Sequence, residues 1–325
     1  MHRRSFLGLL GAAALTPVVS GCNLVPGSGP NPAVSNAGTG KLTLGIIPIA
    51  HFSTMYLAQQ EGLFQREGLS VEMQVIQNAA AMVPSVINGQ LAIGTGSGTP
   101  FLNAVSRNVP ISIAAPACNN PATPEEDTLG VVVADDSDIE TIADLAGKTV
   151  ALNAIGSQPH IALEKMLADL DTDLEDVDYA PMPMADSIAA VRQGRVAAAA
   201  IAEPFVTIAD LEGLRHLSAV YSLAFEGSGV ESVFYAANEV ISARQDEFDA
   251  FSRATIEANQ MANDDPQLAQ SILTKYLDMD PDIAAAMVMP EFATDTQTST
   301  LEGISDVMVK TGFLMEPIPG DRMVV

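Results

Sequence analysis

The chain has 325 residues, of which 48% are hydrophobic and 17% charged, and a formal net charge of -25 at pH 7. That length favours two lobes over one core, and the apolar share is enough to build both. So acidic a surface repels phosphate backbones and anionic lipid headgroups, which excludes nucleic-acid binding and leaves membrane contact to a covalent or inserted anchor.

At the N-terminus Arg3 and Arg4 precede an apolar stretch from Phe6 to about Val19. It is shorter than the ~20 residues that span a bilayer. A basic start, a short apolar run and small residues before a cleavage point read as a signal peptide over residues 1–21. Val19-Ser20-Gly21-Cys22 resembles a lipobox, with Cys22 as the lipidation site. Arg3-Arg4-Ser5-Phe6-Leu7 resembles a twin-arginine export motif, with Sec export as the alternative because His2 and Gly8 depart from it. Residues 22–40 carry Pro26, Pro30 and Pro32 among glycines and serines, the composition of a flexible tether. The second cysteine, Cys118, is left as a lone thiol and reads as a small buried hydrophobe.

From Lys41 onward the pattern alternates strand and helix. Thr43–Ile47, Val71–Ile76, Leu91–Ile93 and Ile111–Ala115 read as strands. Helices fall between them: one opened by Ser53 or Thr54 and stopped by Gly62, one at Met82–Ile87, and one from Pro100 to Asn108. The pattern then repeats. Lys148–Leu152, Asp178–Pro181 and Arg195–Ile201 read as strands, with helices at His160–Leu170 and Ile188–Gln193. Such alternation predicts an α/β fold with mostly parallel sheets.

The repetition has a measurable period. Ser53 and Ser157, both at helix starts, stand 104 residues apart, and Gly89 and Gly194, both at helix ends, stand 105 apart. Two similar α/β lobes in sequence follow. Beyond Asp246 the chain reads as a helical tail, in which Asp265-Pro266 and Asp280-Pro281 each look like a cap followed by a first-turn proline. Leu129–Ala134 and Val233–Ala237 are the natural crossings, a two-strand hinge. The expected division is residues 41–130 with 240–325 in the first lobe and 131–239 in the second.

An ordered series of short segments resembles the nitrate/sulfonate/taurine-type solute-binding proteins, a superfamily that includes binders of thiamine-pyrimidine precursors. The series is Tyr56-Leu57-Ala58, Glu61-Gly62-Leu63-Phe64, Glu67-Gly68-Leu69, Asn88-Gly89-Gln90-Leu91-Ala92, Asp144 through Val150, Gly156-Ser157 and Phe234 through Asn238. The resemblance covers about residues 41–315. It implies a type II periplasmic-binding fold, a ligand in the cleft between lobes, and the permease and ATPase of an ABC importer as partners. Together with the signal peptide and lipobox, the expectation is an exported monomer, lipid-anchored outside the cell membrane, that needs no cofactor or metal and catalyses nothing.

In open α/β sheets, ligands lie beyond the carboxyl ends of strands. Four turns fit that position and supply the candidates: His51, Phe52, Ser53 and Thr54; Gly96, Ser97, Gly98 and Thr99; Ser157, Gln158 and His160; and Glu203. The glycine-rich Gly94-Thr95-Gly96-Ser97-Gly98-Thr99 has neither the dinucleotide spacing nor the lysine of a phosphate loop. It reads as a tight turn or as a nest of N–H groups facing a ligand, and the resemblance favours the nest. Ser53, Thr54 and Ser157 have a plain alternative as helix caps. Glu203 follows an apolar strand and would face a cationic or N–H-rich group. No lysine or arginine stands in the four turns. The ligand classes left open are sulfonates, taurine, nitrate and aminopyrimidines. Two other readings stay in view. One is an enzyme on the same fold, related to the pyrimidine-precursor synthases, although Cys118 alone cannot supply their cysteine-rich iron motif. The other is a sensory domain.

Overall fold

The computed structural model describes residues 40–76, 79–172 and 176–325, all within one compact unit. The expected signal peptide, Cys22 and the tether up to residue 39 lie outside the described residues.

Ten strands form: β1 (Lys41–Ile46), β2 (Ser70–Val75), β3 (Gly94–Ser97), β4 (Ile111–Asn119), β5 (Leu129–Ala134), β6 (Thr149–Leu152), β7 (Asp178–Pro181), β8 (Ala198–Ala202), β9 (Leu214–Ala219) and β10 (Val230–Ala237). In the first lobe β1 pairs with β2, and β10 lies between β3 and β4. A parallel bridge from Leu44 to Ile93, with Gly45 N–H donating to the Ile93 carbonyl at 2.9 Å, joins the two sets. The order is therefore β2-β1-β3-β10-β4. The second lobe runs β7-β6-β8-β5-β9. The two orders match strand for strand, with β10 in the place of β5. The interior strands β8 and β10 are buried along their whole length, as mostly apolar runs covered on both faces must be.

The expectation of mostly parallel sheets is corrected at two strands. β5 is antiparallel to β8 and β9, and β10 is antiparallel to β3 and β4. Each is the first strand laid down after the chain crosses from the other lobe, and it enters against the direction of its neighbours. The crossings themselves are residues 120–128 and 220–229. Because β10 belongs to the first sheet, the chain has returned to that lobe by Val230, earlier than the expected boundary at 240.

The helices are α1 (Thr54–Gln60), α2 (Leu63–Arg66), α3 (Met82–Ile87), α4 (Gly98–Ser106), α5 (Gln158–Asp169), α6 (Met184–Arg192), α7 (Phe205–Leu211), α8 (Tyr221–Ala224), α9 (Asn238–Ala243), α10 (Gln245–Asp264), α11 (Pro266–Tyr276), α12 (Pro281–Ala286) and α13 (Ser299–Lys310). Helices α1 and α5 start 104 residues apart, the period read from the sequence. In the tail, Asp265 accepts from Gln267 N–H and Leu268 N–H, and Asp280 accepts from Asp282 N–H, so both are N-caps as expected. Among the described residues no helix is long and apolar enough to cross a membrane.

Apolar packing forms distinct clusters. Phe64, Phe234 and Phe251 pack ring on ring in the first lobe, and Ile188, Ile201 and Val206 pack in the second. A further cluster is continuous from Phe101, Leu301 and Ile304 to Ile161, Leu163 and Tyr221, so the lobes also touch through apolar surface.

Two buried polar side chains fasten one crossing to the other. Asn120 Nδ2 donates to the carbonyls of Phe225 (3.2 Å) and Gly227 (2.9 Å). Asp127 accepts from Leu129 N–H, Val220 N–H, Ser222 N–H and the Ser222 hydroxyl. Replacing Asn120 by Ala strands two carbonyls, and an unsatisfied buried polar group costs ~1–3 kcal/mol. Asn120→Ala is therefore expected to lower stability by about that amount in urea denaturation; a change near zero would remove Asn120 from the crossing.

Candidate functional site

Between β1 and α1 the chain makes one 3-10 turn, Ala50–Phe52, which buries His51. Ser53 and Thr54 follow, each 1% exposed. Neither caps α1. Ser53 already has helical backbone angles (φ -64, ψ -27) and makes no cap hydrogen bond. Ser157 has the extended backbone of an N-cap before α5, yet its hydroxyl also makes none. The hydroxyls of Ser53, Thr54, Thr99 and Ser157 are all buried without a partner, and so are His51 Nδ1 and Gln158 Oε1. Native structures satisfy nearly all such groups, so these orphans at strand-to-helix turns are candidate contacts for a bound molecule.

Glu231 on β10 links these residues across the lobes. Gln158 Nε2, from α5 in the second lobe, donates to Glu231 Oε2. Glu231 Oε1 lies 3.7 Å from His51 Nε2 and accepts no hydrogen bond. His51 Nε2 shares a hydrogen bond with Thr128 Oγ1 at 3.2 Å, and the His51 carbonyl accepts from Cys118 Sγ at 3.1 Å. Burial pushes the Glu231 carboxyl up to about 8, further raised by Asp127 and opposed by hydrogen bonds from Ser232 and Gln158. Burial pushes His51 down to about 4. None of Glu231's partners is a lysine or arginine. Burial also drives the Cys118 thiol well up, which keeps it protonated and unreactive.

Other sequence candidates fall elsewhere. Phe52 packs edge-on against Phe234 in the first-lobe core. The Gly94–Thr99 segment is not a tight turn but a strand passing into the start of α4. Gly94–Ser97 is strand β3, and its glycines provide room rather than backbone freedom. A methyl at Gly96 would lie 3.2 Å from the Tyr235 ring, and one at Gly98 would lie 2.8 Å from Leu301 Cδ2 and 3.0 Å from the Glu231 carbonyl. Ser97 stands opposite Ser232 in the ladder. His160 supports the Gly156–Ser157 turn: its Nδ1 accepts Gly156 N–H at 2.9 Å, and its ring meets Tyr179 and Phe313 edge-on. Glu203 is already committed to protein donors. Its oxygens accept from Thr207 N–H, the Thr207 hydroxyl and Val288 N–H, so it braces α7 against the tail instead of offering a free carboxylate. Glu231 and Thr128 were missed. The signal for Glu231 was one acid beside an apolar run read as starting at Val233, three residues after β10 begins.

A model of the family described as NMT1/THI5 like matches residues 49–269. A putative binding protein of Brucella abortus is 22% identical over 276 residues, covering 81% of this chain and 82% of the relative. The periplasmic aliphatic sulphonate binding protein SsuA from Escherichia coli superposes with a TM-score of 0.72 at 18% identity, covering 89% of this chain and 92% of that one. The desulfurization enzyme DSZB superposes at 0.66 with 16% identity, covering 88% and 96%. These likenesses establish the periplasmic-binding fold expected from the sequence.

The raised carboxyl has a thermodynamic signature. Glu231 goes from an ordinary 4.5 to about 8, so the stability it lends is complete below pH 4.5 and lost as pH rises through 8. His51 goes from 6.5 to about 4, so its contribution is complete above 6.5 and lost as pH falls through 4. Of the two, Glu231 alone acts between pH 6.5 and 8. Over that range the ligand-free protein is expected to lose up to ~1.4 kcal/mol per pH unit from this one proton. Glu231→Gln should flatten the slope in urea titrations. An identical slope in the variant would assign the effect to another group.

Proposed function

The chain belongs to the NMT1/THI5-like family, and from that premise we propose that it is the solute-binding component of an ABC importer and catalyses no reaction. It captures one small polar molecule between its lobes and hands it to a permease driven by an ATPase. The observation that carries this reading is the buried, unpartnered polar atoms at the strand-to-helix turns of both lobes, together with the hydrogen bond from Gln158 to Glu231 that joins the lobes. Ser53, Thr54 and Thr99 come from one side, and Ser157 and Gln158 from the other. A ligand contacting both sides favours the closed arrangement by its differential affinity for it. Micromolar binding corresponds to ~8 kcal/mol, within reach of a few hydrogen bonds in a dry cleft.

The lining narrows the solute. Glu231 has no basic partner, which disfavours nitrate and simple alkanesulfonates and favours molecules that bring N–H donors, such as taurine or an aminopyrimidine. The enzyme alternative has no reactive thiol here, since the Cys118 thiol is buried and held protonated. The signal peptide and lipobox support an exported monomer, held outside the cell membrane by lipid on Cys22.

Mass spectrometry of small molecules released from the purified protein is expected to find one retained solute. A thermal-shift panel of taurine, ethanesulfonate, nitrate and 4-aminopyrimidine tests the class, because a ligand of the folded state raises the melting temperature. A protein that carries no solute and responds to none of the panel would defeat the binding reading. Ser53→Ala and Gln158→Ala should each weaken the responding ligand about tenfold, the loss of roughly one buried hydrogen bond. For the anchor, Cys22→Ser should abolish incorporation of labelled palmitate and release the protein from the membrane fraction; retention of label in the variant would refute lipidation at Cys22.

A further inference from the structure

Resting on the solute-binding reading above, we propose that Glu231 and Gln158 select an organic cation with at least two N–H bonds, an ammonium, amidinium or guanidinium group, and that its capture expels one proton from the site. The first support is a census of donors and acceptors. Gln158 spends an amide N–H on Glu231 Oε2. With the carboxylate ionised, the opposite amide orientation would set two oxygens against each other. Gln158 Oε1 and Glu231 Oε1 are therefore neighbouring acceptors, both buried and both unpartnered. The hydroxyls of Ser53, Thr54, Thr99 and Ser157 can rotate to accept as well. Each hydroxyl can also donate and so suits either kind of partner; the acceptor-only atoms, Gln158 Oε1 and the ionised Glu231 Oε1, are the ones that call for donors. An oxyanion brings none.

The second support is charge. The groups facing Glu231 are His51 from the 3-10 turn, Gln158 from α5, Cys118 and Ser232 from the sheet, Tyr221 from α8 and Asp127 from the first crossing. Burial keeps His51, Cys118 and Tyr221 neutral near pH 7. Asp127 already accepts four hydrogen bonds from the crossings. Nothing in this set compensates an ionised Glu231. Without ligand the carboxyl retains its proton, because an isolated buried charge is costly. An arriving cation provides the compensation: the Glu231 O–H bond breaks, the proton passes to solvent, and the carboxylate binds the ligand's N–H groups. The net charge of -25 also draws cations toward the protein before contact.

Calorimetry on the full chain with methylguanidine, acetamidine, taurine and ethanesulfonate, each in phosphate and in Tris at pH 7, tests this. Methylguanidine or acetamidine is expected to bind with release of about one proton, seen as a buffer-dependent heat. Affinity should rise about tenfold from pH 6 to pH 7 and level off above pH 8. Glu231→Gln, an isostere, should weaken the cation about thirtyfold or more at pH 8 and abolish the buffer dependence. Gln158→Met should weaken it about tenfold while keeping the proton release. If Glu231→Gln does not fold, the wild-type buffer and pH dependence and the Gln158→Met variant decide the matter. Tight binding of ethanesulfonate, binding without proton release, or failure of both cations would overturn the proposal. The solute-binding reading survives those results if the protein still carries an anionic or neutral solute, and falls only if no solute binds.

Discussion

A carboxyl group buried with no lysine or arginine among its partners governs this site. Glu231 sits on β10, an interior strand of the first sheet, and its hydrogen-bond donor Gln158 comes from the other lobe. Removing such a group from water is unfavourable unless it is protonated or given a partner. Much of the local architecture follows. Gly98 has no side chain, so α4 begins close beside the Glu231 backbone. His51 is buried as a neutral imidazole, steadied by Thr128 at its ring and by Cys118 at its carbonyl. The helix starts that would normally cap themselves leave their hydroxyls free. Local self-satisfaction has been given up at each of these places, at a cost in stability.

The crossings give this arrangement its mechanical setting. Asn120 and Asp127 bind the outward and return passages to each other, so the two connections between lobes behave as a single fastened unit. Thr128 and Glu231 stand at opposite ends of that unit's passages, the first at the exit and the second at the re-entry. Glu203 extends the linkage, because its bond to Val288 N–H carries the second lobe's α7 to the tail.

Much of this was legible in the residues. The 104-residue period between Ser53 and Ser157 reappears as the spacing of α1 and α5, because paired turns must occupy equivalent positions in two sheets of the same order. Asp265 and Asp280 were readable as caps since capping is a local matter of one side chain and two N–H groups. What escaped was non-local. The antiparallel course of β5 and β10 depends on where the chain crosses, which no window of residues encodes. Glycines at 94 and 96 looked like turn formers, but they are small because the Tyr235 ring, far along the chain, lies on them. Glu203 was chosen over Glu231 because it followed a clearly apolar strand. Only the fold shows that Thr207 and Val288 already occupy it.

The position of β10 also bears on synthesis. The second sheet is assembled from one continuous stretch, Leu129 to Ala219, and is complete once that stretch has emerged. The first sheet is not. Strands β3 and β4 are made early, but the strand between them arrives only with Val230–Ala237. Until the ribosome has passed that point, the N-terminal half carries two open strand edges with nothing to join them. The later-made lobe thus matures first, and the earlier-made one must be kept from sticking to its neighbours while it waits.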